Sequence, residues 1–222
     1  MTQIGNKPLY LLIYCFLVHS STITCFALCA IDGMILCFCM YISGAYQCLQ
    51  EDLKFAFKNY ASRGLNIESS DLLYNDIKEL IRRQQNIIEI FKGFNKSCKS
   101  VIFIHIAVAS VSLGSLLINI RLTPGVAKVM YLNYIIGAST LVFIYCFASE
   151  SVNQNCLKLS ESLYFCDWYN CNKKVATLIL FALAKSQSGC YMTAPFFSPS
   201  LPLFASIIQK SASYFTILET FL

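Results

Sequence analysis

Apolar residues along this chain fall into four blocks separated by polar, charge-bearing stretches. Leu9–Leu49 holds only His19 and Asp32 as ionisable members, and Val101–Ile120 only His105. Val129–Phe147 has no charged residue, and Leu201–Leu218 is interrupted only by Lys210. A helix needs about 20 residues to cross ~30 Å of hydrocarbon, so the last three blocks predict membrane-spanning helices. The first is too long for one simple crossing. It predicts either one long helix that overshoots the membrane or two spans folded at Asp32-Gly33, an Asp-Gly pair being a turn signal. The single long helix is the preferred reading. A signal peptide fits poorly, because its apolar core runs to only about 7–15 residues.

The polar stretches carry a second pattern. Across Asp76–Phe91, Ile77, Leu80, Ile81, Ile87, Ile88 and Phe91 recur at helical spacing, with Arg82, Arg83 and Glu89 on other faces. This is an amphipathic helix. Its stripe either packs on neighbouring helices or forms a subunit contact beneath the membrane.

Composition confirms the class. The chain is 56% hydrophobic and 13% charged with a mean hydropathy of +0.57, where soluble domains carry about 25% charge. The fold expected is therefore an all-α integral membrane protein of about four transmembrane helices, 9–49, 101–120, 129–147 and 201–222. Helical regions 51–99 and 150–190 lie outside the bilayer, and 1–222 reads as a single helical membrane domain. Charge placement orients it. Residues 51–99 hold Lys54, Lys58, Arg63, Lys78, Arg82, Arg83, Lys92, Lys96 and Lys99, and 150–185 add Lys158, Lys173, Lys174 and Lys185. The positive-inside rule puts both regions in the cytoplasm and the carboxyl terminus outside. The net charge of +5 is too small and too clustered for nucleic-acid binding.

Catalytic chemistry finds no support. There is no Gly-rich phosphate loop, no G-x-S-x-G elbow and no H-E-x-x-H. The twelve cysteines lie mostly in apolar runs and show no paired zinc spacing. No metal, cofactor or enzyme activity is expected. Asp32 is a carboxylate at possible membrane depth, hence a functional candidate or a residue capping a turn. His19 and His105 suit packing or the interface.

The carboxyl-terminal third carries an ordered set of short motifs. Ser149-Glu150, Tyr164 with Trp168, Ser186-Gln187, Thr193-Ala194, Leu203-Phe204 and Tyr214-Phe215-Thr216-Ile217-Leu218 follow in turn. The set resembles the insect odorant receptor family, and Leu203–Ser206 is similar to the corresponding segment of its co-receptor subunit. Upstream, Pro8–Leu49 and Leu72–Phe94 with Ser97–Ser100 are similar to the fourth segment and the approach to the fifth. Gln84-Gln85 and Pro195 depart from the family's usual residues, which fits a tuning receptor rather than the co-receptor. The family has seven spans, and only the last four are matched, as in a partial gene model, a pseudogene or a truncated isoform.

The resemblance implies a fragment of a seven-span channel subunit: a ligand-gated, non-selective cation channel forming a hetero-tetramer with the odorant receptor co-receptor. It implies residence in the plasma membrane of olfactory sensory neurons and a small hydrophobic odorant as ligand. Candidate ligand-binding residues are Tyr10, Tyr14, Phe16 and His19 of the first block and Tyr131, Tyr134 and Ile135 of the third. Their aromatic rings offer contact area and their hydroxyls orientation; the same tyrosines also suit an interfacial belt. Transferred from the Leu203–Ser206 match, the pore positions are Tyr214, Ile217 and Phe221, with Glu219 near the outer mouth. Two other classes stay open: a truncated non-functional or regulatory membrane partner lacking the first three spans, and an unrelated transporter fragment using Asp32.

Overall fold

A computed structural model describes residues 7–63 and 67–221. The side chains of 7, 8, 67, 68, 121, 214, 215 and 217–221 lie outside that description. The described residues are mostly helical: α1 Lys7–Arg63, α2 Ile67–Leu122, α3 Ala127–Phe165, a 3-10 turn Trp168–Asn170, α4 Lys173–Gln187 and α5 Leu201–Phe221. Among the described residues three helices are long and apolar enough to cross a membrane, within Leu9–Arg63, Ser69–Ile120 and Ala127–Phe165; the expected fourth span, 201–222, lies partly outside the described residues. The protein is an all-α membrane protein.

Asp32-Gly33 makes no turn. α1 passes through it without a break. No breaker residue follows Leu49 before Arg63, so the helix has no reason to stop where its apolar block ends. α2 behaves the same way. Its 56 residues extend about 84 Å at 1.5 Å per residue, while the apolar block 101–120 uses only about 30 Å of that.

Contacts divide the chain into two compact units, Met1–Phe38 and Cys39–Leu222. In the first, the described residues form the amino-terminal part of α1, and nearly all its large apolar side chains from Leu9 to Met34 are exposed. The second unit holds an extensive core. On α1 the buried positions are Cys39, Ile42, Tyr46, Leu49, Leu53 and Ala56, and on α3 they include Val142, Cys146, Ser149, Val152, Cys156, Leu159 and Leu163. Both runs advance in steps of three and four, the seam expected of helices packed nearly parallel. Ile77, Leu80, Ile81 and Phe91 of α2 are buried within the chain, with Ile87 and Ile88 half-buried. The amphipathic stripe is therefore intramolecular core.

The connections use local chemistry. Pro124-Gly125 turns the chain between α2 and α3, with Gly125 at φ 76° and Lys128 N–H donating to the Gly125 carbonyl at 3.2 Å. Asn172 caps α4 by accepting from the Lys174 N–H. Ser200 starts α5, its carbonyl accepting from Phe204 N–H at 3.1 Å. Gly189, at φ 70°, ends α4. A Cβ there would lie 2.6 Å from the Tyr191 hydroxyl and 2.9 Å from Asn153 Oδ1, whereas one at Gly125 meets nothing within 4 Å.

Both glycines sit in left-handed backbone, where another residue costs about 1–3 kcal/mol. Gly189→Ala adds a steric clash to that cost. Thermal unfolding of purified protein in detergent should show Gly189→Ala clearly less stable than Gly125→Ala. Equal losses would show that the Tyr191 contact is not a constraint.

Candidate functional site

Polar side chains buried in the second unit concentrate where α1, α2, α3 and α4 pack together beside the 188–200 segment. Asn155 of α3 is the centre of one group. Its Nδ2 donates to Ser43 Oγ of α1 at 2.6 Å and to the Ser151 carbonyl at 2.9 Å, and its Oδ1 accepts from Gln47 Nε2 at 3.3 Å. Gln50 Nε2 donates to the Asn155 carbonyl at 3.1 Å, and the Ser43 and Ser151 hydroxyls lie 3.0 Å apart. This group bolts α1 to α3.

Gln84 forms the second group. It replaces an apolar residue within the α2 stripe and is 1% exposed. Its Nε2 donates to Ser186 Oγ of α4 at 2.6 Å and to the Ala182 carbonyl at 3.3 Å. The third group holds the 188–200 segment. Asn95 Nδ2 donates to Thr193 Oγ1 at 2.7 Å while its Oδ1 accepts from Thr193 N–H at 2.9 Å. Met192 is fully buried, its N–H donating to Ser149 Oγ at 3.2 Å and its sulfur accepting from the Cys39 thiol at 3.2 Å.

Beyond this polar base, Ala109, Val142 and Cys146 form an apolar cluster with Leu141, Phe204 and Ile207 packed against it. The start of α5 is thereby seated on α2 and α3. Phe143 meets Phe204 edge-on at 5.5 Å, and Phe103 meets Phe196 at 5.5 Å and Phe197 at 6.0 Å. His105 Nδ1 lies 3.1 Å from the Tyr145 hydroxyl, joining α2 to α3.

The ligand candidates sit elsewhere. Tyr10 and Tyr14 stack at 6.5 Å with rings 17° apart, and both are exposed. At 100° per residue Phe16 and His19 fall on the opposite side of α1, so these four do not share a face. Tyr131, Tyr134 and Ile135 do share one on α3, where Tyr134 is exposed and the other two half-buried. Tyr214, Ile217 and Phe221 fall on α5, but their side chains lie outside the described residues. Asp32 is half-buried in α1.

Four cavities stand out among the described residues, all in the second unit, and none is lined by the seven ligand candidates. One of about 230 Å³ holds Asp52, Asp76, Glu79 and Arg83 among its walls. One of about 430 Å³ is lined by Leu53, Phe57, Glu161 and Phe165. One of about 880 Å³ runs along Tyr41, Ala45, Cys48, Asn86 and Ile87. The fourth, about 570 Å³, lies among Tyr46, Phe91, Lys92, Phe181, Lys185 and Cys190. At the first, Arg83 pairs with Asp52 at 3.1 Å and with Glu79 at 3.2 Å. All twelve cysteines are free. Burial pushes the Cys166 thiol up to about 12 and Cys190 up to about 11, so neither is a reactive thiolate near neutral pH. Among the described residues no His, Cys, Asp and Glu cluster suits a metal.

The polar bolts were barely visible in the order of residues. One signal existed: Gln84 breaks an otherwise apolar stripe. Several motif residues do have a structural role here. Ser149 holds Met192, Ser186 receives Gln84, Thr193 pairs with Asn95, and Trp168 Nε1 donates to the Tyr164 carbonyl at 3.3 Å.

Removing a buried amide leaves its partners unsatisfied at about 1–3 kcal/mol. Asn155→Ala should lower stability by that amount in detergent-solubilised protein. Gln154→Ala, whose exposed amide reaches only Glu150, should stay within about 0.5 kcal/mol of wild type. If the two variants unfold together, the Asn155 group is not a fastener.

The sequence matches the family described as 7tm Odorant receptor over residues 2–212. It is 30% identical to Odorant receptor 22c of Drosophila melanogaster over 215 residues, covering 95% of this chain and 54% of that one. Identity to the Odorant receptor coreceptor of Anopheles gambiae is 21% over 164 residues, covering 72% and 34%. By fold, the chain is similar to the insect olfactory receptor OR5 from Machilis hrabei, with TM-score 0.82 at 17% identity, over 98% of this chain and 54% of that one. The same receptor in complex with eugenol gives TM-score 0.75 at 16% identity, over 100% and 55%. The chain spans about half the length of the Drosophila receptor it matches.

Proposed function

This chain belongs to the odorant receptor family, and on that premise we propose that it serves as a tuning subunit of an odorant-gated cation channel. The partner is an odorant receptor co-receptor, in a hetero-tetramer, and the site of action is the plasma membrane of olfactory sensory neurons. The ligand is a small hydrophobic volatile. One observation carries this reading: the family match extends over residues 2–212, almost the whole chain. The fold likeness to an insect olfactory receptor, one form of which is a complex with eugenol, supports it. Identity is higher to the tuning receptor than to the coreceptor.

Tyr131, Tyr134 and Ile135, which share one face of α3, are proposed as ligand contacts, and Tyr10 and Tyr14, which share one face of α1, are proposed separately. An odorant offers few hydrogen bonds, so aromatic area supplies most of its binding. The pore is assigned to α5, where Ile217 and Phe221, four apart, share a helix face with Tyr214 one turn earlier. A ring of such apolar side chains closes a pore by excluding water.

Expressed from its own transcript together with an insect co-receptor, the chain should give odorant-evoked cation current that neither gives with that odorant alone. In that pair, Ile217→Cys should make the current sensitive to an external thiol reagent. Absence of both odorant-evoked current and co-purification with the co-receptor would refute the channel-subunit reading. If the Ile217→Cys channel conducts normally and the reagent leaves its current unchanged, the pore lies elsewhere.

The basic regions 51–99 and 150–185 are proposed to be cytoplasmic and the carboxyl terminus extracellular. A sequon on a short polar extension after Leu222 should therefore be glycosylated in microsomes. Asn95-Lys96-Ser97, on the proposed cytoplasmic side, should stay unmodified in the same assay, and its modification would overturn the orientation. An unmodified extension would reverse the orientation.

A further inference from the structure

The cavity of about 570 Å³ between α2, α4 and the 188–193 segment has a composition that the odorant-gated reading does not use. Its walls carry Lys92 and Lys185 against one carboxylate, Glu89, with Gln85, Asn95, Ser188 and Thr193 as further polar groups. Among the described residues neither lysine has a carboxylate within salt-bridge distance. Lys185 instead rests over the Phe181 ring at 5.7 Å. The remaining wall is apolar, from Ile88, Phe91 and Phe181.

A second, independent observation lies at the inner end. Tyr46 lines the cavity and is fully buried, and its hydroxyl has no oxygen or nitrogen partner among the described residues. The nearby groups are the thiols of Cys156 and Cys190, which are weak partners. A buried hydroxyl answered only by thiols is left without a strong partner. An acceptor entering the cavity would satisfy it.

Position narrows the ligand. Lys92, Lys96 and Lys99 are all exposed and recur at i, i+4 and i+7, forming one basic row along α2. The row ends two residues before the apolar block at Val101. Asn95, at the membrane end of the cavity, lies about 9 Å from Val101 along the helix axis. The headgroup layer on each side of a bilayer is about 5–8 Å deep. Lys92 lies about 14 Å from Val101, so the cavity opens just beyond the headgroup layer, within reach of a headgroup that projects from the surface, with cations leading from one to the other. A phosphate group suits lysine ammonium groups and a tyrosine donor, and the apolar wall suits the carbon face of an inositol ring.

We propose that this cavity binds the phosphate-bearing headgroup of an anionic phospholipid from the adjoining leaflet, through Lys92 and Lys185 with Tyr46 as the inner donor. The site rests on the cytoplasmic placement of 51–99 for its natural lipid, since that leaflet is the anionic one. Its test does not depend on that placement, because a nanodisc offers the same lipid on both faces.

The full chain is reconstituted in phosphatidylcholine nanodiscs with or without phosphatidylinositol 4-phosphate, and retained lipid is counted by native mass spectrometry. Wild type should retain the phosphoinositide in preference to phosphatidylcholine. Lys92→Gln with Lys185→Gln should reduce that retention about tenfold, while Lys54→Gln with Lys58→Gln, an equal loss of charge away from this cavity, should not. Tyr46→Phe removes only the buried hydroxyl; it should keep the fold and lower retention, an effect that packing alone does not give. No preference in wild type, or equal losses in the two lysine pairs, would overturn the site. Equally tight binding of soluble inositol 1,4-bisphosphate would overturn the lipid assignment in favour of a free phosphate.

Discussion

An amide side chain taken out of water must find partners, and in this protein that requirement fixes how the helices meet. Asn155, Gln84 and Asn95 each sit on a different packing seam and each is answered from another element. Apolar contacts alone leave helices free to slide by a turn, because one aliphatic stripe resembles the next. A buried amide removes that freedom. Only one register brings Ser43 and Gln47 to Asn155, or Ser186 to Gln84, and a shift would leave several groups unpaired at about 1–3 kcal/mol each.

The exposed apolar side chains become intelligible against that base. Ile104, Val108 and Val111 on α2, and Val129, Met130 and Ile136 on α3, face outward from blocks long enough to span hydrocarbon. In lipid such a surface is at home. Helix packing there gains little from the hydrophobic effect, so the strong specification has to come from elsewhere. The exposed ion pairs do not provide it: Lys54–Glu51 and Arg82–Glu79 lie within one helix, and Arg83–Asp52, which joins α2 to α1, is solvent-facing, each worth about 0–1 kcal/mol.

Much of the architecture was legible in the order of residues. The bilayer sets a length requirement, and blocks such as Val101–Ile120 meet it visibly. Helix ends were less legible, since a block that stops being apolar need not stop being helical; α1 and α2 run on wherever no breaker intervenes. The amphipathic stripe of 77–91 announced a packed face but not its partner, which proved to be this same chain. The polar fasteners were the least legible. Ser, Asn and Gln are scattered throughout, and which pairs meet depends on three-dimensional register. Ligand candidates chosen for being aromatic and near a membrane edge share the difficulty. Tyr10 and Phe16 are close in sequence and yet occupy opposite sides of one helix.

The motif residues that carry the family resemblance also locate where the helices are mechanically coupled. Ser149, Ser186 and Thr193 hold the segment that leads from α4 to α5, and that segment is tied to α1 through Met192 and to α2 through Asn95. At its far end, Phe196 and Phe197 rest on Phe103 of α2, and Phe204 of α5 rests on Phe143 of α3. The beginning of α5 therefore has no independent position. A relative movement of α2 and α3 must either carry the start of α5 with it or break paired amides and aromatic contacts.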